Sequence, residues 1–193
     1  MERGRIVKPL CTDAASASES ACTMRRIMVM GPPGAGKSTL ARQLGAFFGL
    51  PVFHLDQVWW RPGWIEAPPD AFRADVERIA ALPAWVIDGN FTATIVPRLC
   101  AADTLIYLDC PNWLSLLRVI RRTISGYGRI RPDMPAGCLE RFELEFLRFV
   151  WAYNRTRRAR NLALIESFTG RKIILTGRRD AQCFMDACRP LKG

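Results

Sequence analysis

Eight residues, Gly31-Pro32-Pro33-Gly34-Ala35-Gly36-Lys37-Ser38, satisfy the pattern G-x-x-x-x-G-K-[ST] in full. The pattern has chemical meaning only between a strand and a helix, and both flanks are present. Met24 opens Arg25–Met30, a short apolar run suited to a buried parallel strand. Lys37 to Phe48 carries Leu40, Leu44, Phe47 and Phe48 at helical spacing, with Gly49 placed to end the helix. Glycines let the backbone curl until several N–H groups converge on phosphate oxygens, and the helix N-terminus adds partial positive charge. Lys37 then reaches β- and γ-phosphates, and the Ser38 hydroxyl is a ligand for Mg²⁺. Residues 31–39, through Thr39, are therefore the expected phosphate site, with ATP and Mg²⁺ as expected cofactors.

A strand buried on both faces needs neighbours of its own kind. Pro51–His54, Trp85–Asp88, Thr104–Asp109 and Lys172–Thr176 are further short apolar runs. Between them lie helical patterns at Asp70–Leu82, with Asp70 as cap, at Asn112–Ser125, from about Leu139, and at Asp180–Arg189. Strands alternating with helices predict an α/β fold, a parallel sheet with helices on both faces. With 193 residues, 49% of them apolar, the chain suits one compact domain. Ala14 to Ala21 has no bulky apolar residue to offset its ordering entropy. Residues 1–23 are thus expected to be a disordered extension, with the domain spanning 24–193 and Met24 as a candidate start.

No apolar stretch approaches ~20 residues, which excludes a membrane-spanning helix, and no signal-peptide core is present. The seven cysteines are widely spaced without a C-x-x-C pair, so neither zinc nor a disulfide framework is expected. A cytoplasmic protein with reduced thiols is the expectation.

The net charge of +10 is concentrated: residues 118–160 carry eleven Arg against four acids. Such a segment calls for a polyanion, a phosphate-rich ligand or acidic neighbours. Arg118, Arg121 and Arg122 share one helix face, with Leu114, Leu117, Ile120 and Ile124 expected to bury the remainder. Arg129 and Arg131 sit in the following Gly- and Pro-bounded loop. Arginine from a closing lid stabilises the charge of phosphoryl transfer, and a solvated basic face is the plainer alternative. Two strands end in acids, Asp88 and Asp109. The Gly89-Asn90 opening favours Asp88 as the acid that orients metal-bound water. His54-Leu55-Asp56 ends the second strand at the carboxyl edge, where ligands bind in open α/β sheets. Asp56 either accepts a proton from a substrate hydroxyl or caps the next turn; His54 is equally a packed strand residue or a ligand contact. Trp59, Trp60 and Trp64, interleaved with Arg61, make either a wall for a second substrate or packing under an insertion. Arg98 is a further candidate for anion contact.

In this order, Gly31–Thr39, His54-Leu55-Asp56, the Trp-rich insertion, Ile87-Asp88-Gly89-Asn90, Ala102-Asp103-Thr104 and Arg131-Pro132-Asp133 resemble adenylate-kinase-like P-loop kinases. The similarity is closest to the bacterial group labelled DNA topology modulation proteins, over roughly residues 24–190. The resemblance implies a three-layer P-loop NTPase fold with a five-stranded parallel sheet in the order 2-3-1-4-5. It also implies a small substrate insertion and a lid at about 126–137. Asn90-Phe91-Thr92 stands where adenylate kinases place an Arg after their Asp-Gly-Phe-Pro step, and Cys138 stands alone where some carry a four-cysteine zinc lid.

The expected function is transfer of the γ-phosphoryl group of ATP to a small acceptor, a nucleotide or a hydroxyl metabolite. Lys37, Asp56, Asp88, Arg118 and Arg122 are the expected catalytic residues, Arg118 and Arg122 also touching the nucleotide, and Ser38 and Asp88 serve the metal. His54, Asp56, Trp60, Arg61, Asn90, Arg98, Arg129 and Arg131 are the expected substrate contacts. The alternative is a nucleotide-binding regulator that binds nucleic acid and influences DNA topology. Neither zinc nor a membrane is an expected partner.

Overall fold

Period-two alternation in the strands decides which helix covers which face of the sheet. In a computed structural model that describes residues 6–7 and 24–188, the main sheet contains β1 (Ile6–Val7), β2 (Arg26–Met30), β3 (Val52–His54), β6 (Trp85–Asp88), β7 (Thr104–Leu108) and β8 (Arg171–Leu175). A separate antiparallel hairpin pairs β4 (Trp60–Arg61) with β5 (Ile65–Glu66). The helices are α1 (Lys37–Phe48), α2 (Leu55–Trp59), α3 (Pro69–Ala80), α4 (Ile95–Ala101), α5 (Asn112–Gly126), α6 (Leu144–Tyr153), α7 (Ala159–Ser167) and α8 (Arg178–Ala187). Met28, Met30, Trp85, Ile87, Leu105 and Tyr107 point to one face, where Leu55, Phe72, Val76, Ile79, Ile95 and Ile165 of α2, α3, α4 and α7 cover them. Ile27, Val29, Val86, Ile106, Leu108, Ile173 and Leu175 point to the other, under α1 and α8. Full burial of each such side chain contributes about 1.5–3 kcal/mol, so β2, with Ile27 to Met30 at 0% exposure, is anchored from both sides.

All strands of the main sheet are parallel, in the spatial order β1-β8-β7-β2-β6-β3. Counted from Met24, the five strands follow the expected 2-3-1-4-5 order. A sixth, β1, pairs Ile6 with Lys172 and Val7 with Ile173 at the far edge, so the N-terminal extension is not wholly without structure. The rest of the expected tail, residues 1–5 and 8–23, lies outside the described residues, as do 189–193. Among the described residues no helix is long and apolar enough to cross a membrane.

Three local expectations need correction. Asp70 does not cap α3: the helix begins at Pro69 behind Pro68, and Asp70 sits in its first turn. The helix expected from Leu139 begins only at Leu144, because Leu139 bridges to Ile130 and the Glu140 N–H donates to the Arg129 carbonyl. In α5 the buried positions are Ser115, Val119 and Thr123, while Leu117 and Ile124 stand 55% and 70% exposed. The face carrying Arg118 and Arg122 turns inward along a cleft, and this rotates the apolar stripe outward.

Candidate active site

The glycine-rich loop joins β2 to α1. Gly31, Gly34 and Gly36 have φ of 147°, 76° and 100°, a region strained for any residue with a Cβ. Space forbids one as well: at Gly31 it would come within 2.5 Å of the Leu108 carbonyl oxygen, and at Gly34 within 2.7 Å of that of Ser115. Gly36 faces open space instead, so a ligand can approach its backbone. The Ala35 N–H donates to the Pro32 carbonyl at 3.2 Å, closing the turn, and Lys37 Nζ donates to the same carbonyl at 3.0 Å. Burial lowers the Lys37 pKa, while the charges of Asp88 and Asp56 resist that fall. Pro33, Gly34, Gly36, Lys37, Ser38 and Thr39 form one side of a cleft of ≈ 740 Å³.

Strand register assembles the acids beneath this loop. Parallel pairing sets His54 opposite Asp88 at the ends of β3 and β6, and His54 Nδ1 lies 2.5 Å from Asp88 Oδ1. Both residues are buried. Burial opposes charge on the imidazole, but the hydrogen bond and charge of Asp88 outweigh it, and the His54 pKa is raised. Asp88 also reaches the cleft, as does Asp56 in the first turn of α2. Burial raises the Asp56 pKa against the pull of Lys37, the condition under which a carboxylate accepts a proton most readily near neutral pH. Asp109 is engaged elsewhere: Arg158 grips it through Nε at 2.9 Å and Nη2 at 2.6 Å.

All three tryptophans of the insertion after Asp56 line the cleft. Trp59 packs on Phe72 and Phe91, at centroid distances of 5.0 and 5.7 Å, against the core. Trp60 and Trp64 face each other at 5.3 Å.

Residues 127–143, between α5 and α6, cover the cleft from above. Glu140 is only 6% exposed. It accepts hydrogen bonds from Thr123 Oγ1 at 2.9 Å and Arg122 Nε at 3.2 Å, and pairs with Arg131 Nε at 2.7 Å. Asp133 accepts a hydrogen bond from Ser38 Oγ at 3.1 Å and pairs with Arg131 Nη1 at 3.3 Å. Burial works to raise the Asp133 pKa, yet Arg131 and its hydrogen bonds hold it below the usual carboxylate value. The Arg122 pKa is lowered by burial and by Arg131 nearby. The loop is fastened to the insertion: Gln57 Nε2 donates to the Pro132 carbonyl at 2.9 Å, the Gly63 N–H to Gly137 at 3.3 Å, and Trp64 Nε1 to Leu139 at 3.0 Å.

Of the expected site residues, Lys37, Ser38, Asp56, Trp60, Asp88, Asn90, Arg118, Arg122 and Arg131 line the one cleft. Five of the expected substrate contacts are committed elsewhere or lie off the cleft. His54 is buried behind Asp88 and orients it. Asn90 touches the cleft, but its amide is committed to the loop: Nδ2 donates to the Gly31 carbonyl at 2.8 Å and Oδ1 accepts the Gly31 N–H at 3.2 Å. Arg98 is 0% exposed and donates to the carbonyls of Thr94, Gly89 and Phe91 at 3.0, 3.0 and 2.7 Å. Its burial lowers the pKa to about 10, and it braces the turn after Asp88. Arg61 and Arg129 are exposed and lie off the cleft. Sequence reasoning missed Asp133 and Glu140 as functional candidates. Their one signal was being acids inside the eleven-arginine segment.

Oxygen donors available to a cation are Ser38 and Asp88, with Asp133 hydrogen-bonded to Ser38 behind them. Mg²⁺ takes hard oxygen ligands, and one or two from protein suffice when phosphates and water complete the shell. The donors fit such an ion, and the open approach at Gly36 fits the phosphates. Among the described residues no group of three or more His, Cys, Asp or Glu could hold a metal unaided.

No family model matches the chain. It is 30% identical over 122 residues to the cytidylate kinase of Desulfurococcus amylolyticus, covering 55% of this chain and 65% of that kinase, somewhat under two thirds of its length. Among solved structures, a shikimate kinase from Acinetobacter baumannii, crystallised with shikimate, superimposes with a TM-score of 0.52 at 20% identity, over 88% of this chain and 93% of its own. Shikimate kinase from Bacteroides thetaiotaomicron gives 0.51 at 16% identity, over 85% and 95%. The α/β fold with its five-stranded parallel sheet is the fold of these kinases.

Proposed function

We propose that the protein is an adenylate-kinase-like P-loop phosphotransferase of the cytoplasm. It moves the γ-phosphoryl group of ATP to an oxygen of a small acceptor, a nucleotide or a hydroxyl metabolite. The observation that carries this reading is the single cleft in which the glycine loop and Lys37 face Asp56 below and Arg118, Arg122 and Arg131 above. The backbone N–H groups of the loop bind the phosphates and Lys37 spans them. Mg²⁺ held at Ser38, with Asp88 orienting its water, would neutralise charge on the β- and γ-oxygens. The acceptor lies between Asp56 and Trp60. Asp56 takes the proton of an attacking hydroxyl, and the arginines stabilise the charge that spreads over the transferred group. Of the two arginines expected on the acceptor side, Arg61 and Arg98, neither lines the cleft, whereas Arg141, 5.4 Å over the Trp64 ring, does.

The nucleic-acid reading rests on the basic segment, yet Arg118, Arg122, Arg131 and Arg157 turn into the cleft. Arg122 and its neighbour Arg121, exposed and off the cleft, separate the two readings. Turnover with a panel of acceptors, ATP affinity, and DNA affinity at two salt concentrations are measured for Arg118→Ala, Arg122→Ala and Arg121→Ala, with Lys37→Ala alongside. The expected result is a turnover loss of about a hundredfold for the cleft variants, with ATP affinity little changed and Arg121→Ala close to wild type. Equal losses of DNA affinity at Arg121 and Arg122, with no transferase activity in the parent, would establish the other reading.

A further inference from the structure

Asp133 pairs with Arg131, yet it also stands on Ser38, the hydroxyl at the end of the glycine loop. Its Oδ2 accepts the hydrogen bond of the Ser38 hydroxyl at 3.1 Å, and its side chain is 13% exposed. A serine hydroxyl has one proton and two lone pairs. With the proton directed at Asp133, only lone pairs remain to face a cation in the cleft. Arg131 Nη1 donates to the same Oδ2 at 3.3 Å.

We infer that Asp133 is a positioning residue for the divalent cation, carried on the loop over the cleft: it turns the lone pairs of Ser38 toward the metal and adds negative charge just beyond the metal's own ligands. The inference rests on the reading of the cleft as a Mg²⁺–ATP site. It has a mechanical consequence, because Asp133 belongs to the 127–143 loop. Cation affinity then depends on that loop being down, and its fastening by Gln57 to the Pro132 carbonyl, next to Asp133, is part of the metal site although Gln57 touches no ligand. Groups that orient a metal ligand without binding the metal change its affinity by about 10–100-fold when removed.

The opposite role is an acid that takes the cation's own position and must be displaced; removing such a plug tightens binding. The experiment titrates ATP into the full chain at a series of Mg²⁺ concentrations and in EDTA, by calorimetry. Bound Mn²⁺ is counted independently from its electron paramagnetic resonance in the presence of ATP. For Asp133→Asn the concentration of Mg²⁺ that gives half-maximal ATP binding is expected to rise about tenfold or more. Binding in EDTA should be unchanged or tighter, and Mn²⁺ occupancy should fall in parallel. Gln57→Ala, an exposed residue away from the cation, should move the Mg²⁺ requirement the same way by a smaller factor. It keeps the test alive if Asp133→Asn fails to fold. Tighter Mg²⁺–ATP binding by Asp133→Asn, or an unchanged Mg²⁺ requirement in both variants, would overturn the inference and leave the phosphotransferase reading standing. A wild-type protein that binds no nucleotide with Mg²⁺ would remove both.

Discussion

The floor and the roof of the cleft are held by different physics. The floor is set by the backbone: strand register puts His54 against Asp88, three glycines shape the loop, and Asn90 and Arg98 lock the turns with hydrogen bonds to main-chain atoms. The roof is set by side-chain charge: Arg122 and Arg131 meet Glu140, and Arg131 and Ser38 meet Asp133. Backbone ladders have one geometry, whereas a partly exposed ion pair can be exchanged for another anion at modest cost. The floor is therefore suited to staying preorganised, and the roof to releasing its arginines to incoming phosphate.

The largest expected effect comes from breaking the roof at Glu140. Replacing it by Gln leaves two guanidinium groups facing a neutral amide in a site that is 5% exposed at the carboxylate, 19% at Arg131 and 33% at Arg122. Removing one partner of a fully buried pair costs 3–5 kcal/mol; with the arginines partly wetted, roughly 2 kcal/mol is the expectation. For a chain of this size that is a fall of about 4–8 °C in Tm. Turnover should drop more than ATP affinity, because the freed arginines lose the orientation they need as charge develops. A variant with wild-type Tm would show that the roof is not held by charge.

Much of the floor was legible in the sequence because its signals are local. The glycine pattern between an apolar strand and an amphipathic helix places Lys37 and Ser38 by itself, and strand ends place Asp56 and Asp88 at the carboxyl edge. The five-strand order came with the resemblance. What was not legible depends on partners far along the chain. Arg98 looks like a free surface cation until the turn after Asp88 presents three carbonyls to it. Arg129 and Arg131 are two residues apart in one loop, yet only Arg131, paired with Asp133 and Glu140, lines the cleft, while Arg129 stands exposed. Glu140 lay inside an apparent helix, since helical periodicity carries no information about a carboxylate drawn to three groups on other elements. The apolar stripe of α5 misled for a related reason: apolar residues are not all inside, and the cleft claimed the opposite face.

A smaller effect tests the floor. His54 is the chain's only histidine, so one imidazole signal in a nuclear magnetic resonance titration reports it without ambiguity. Its folded pKa is raised above the ordinary value of 6.5, burial being overcome by Asp88. The stability it contributes is therefore fully present below the unfolded pKa and is lost as pH rises through the folded one. The difference in urea midpoint between wild type and His54→Asn should shrink from acid toward alkaline pH. A His54 that titrates below 6.5, or a His54→Asn deficit that grows with pH, would mean that the imidazole is neutral and that Asp88 is positioned some other way.

The smallest effect is expected at the edge farthest from both floor and roof. β1 offers two residues, paired with Lys172 and Ile173 of β8, and in the sheet order β8 and β7 separate it from β2, which carries the glycine loop. Each backbone hydrogen bond it makes is worth about 1 kcal/mol net, and ordering the segment that brings it there costs a similar amount per residue. Starting the chain at Met24 should therefore change stability by no more than about 1 kcal/mol, or roughly 2–4 °C in Tm. ATP affinity and turnover should stay at wild-type values, because the described part of the removed segment, Ile6–Val7, lies across the sheet from the glycine loop. Calorimetric melting and ATP titration of the shortened chain decide the matter. A shortened chain that folds but binds ATP more weakly would show that the N-terminal residues reach the cleft, and the division into a fixed floor and a charged roof would need a third part.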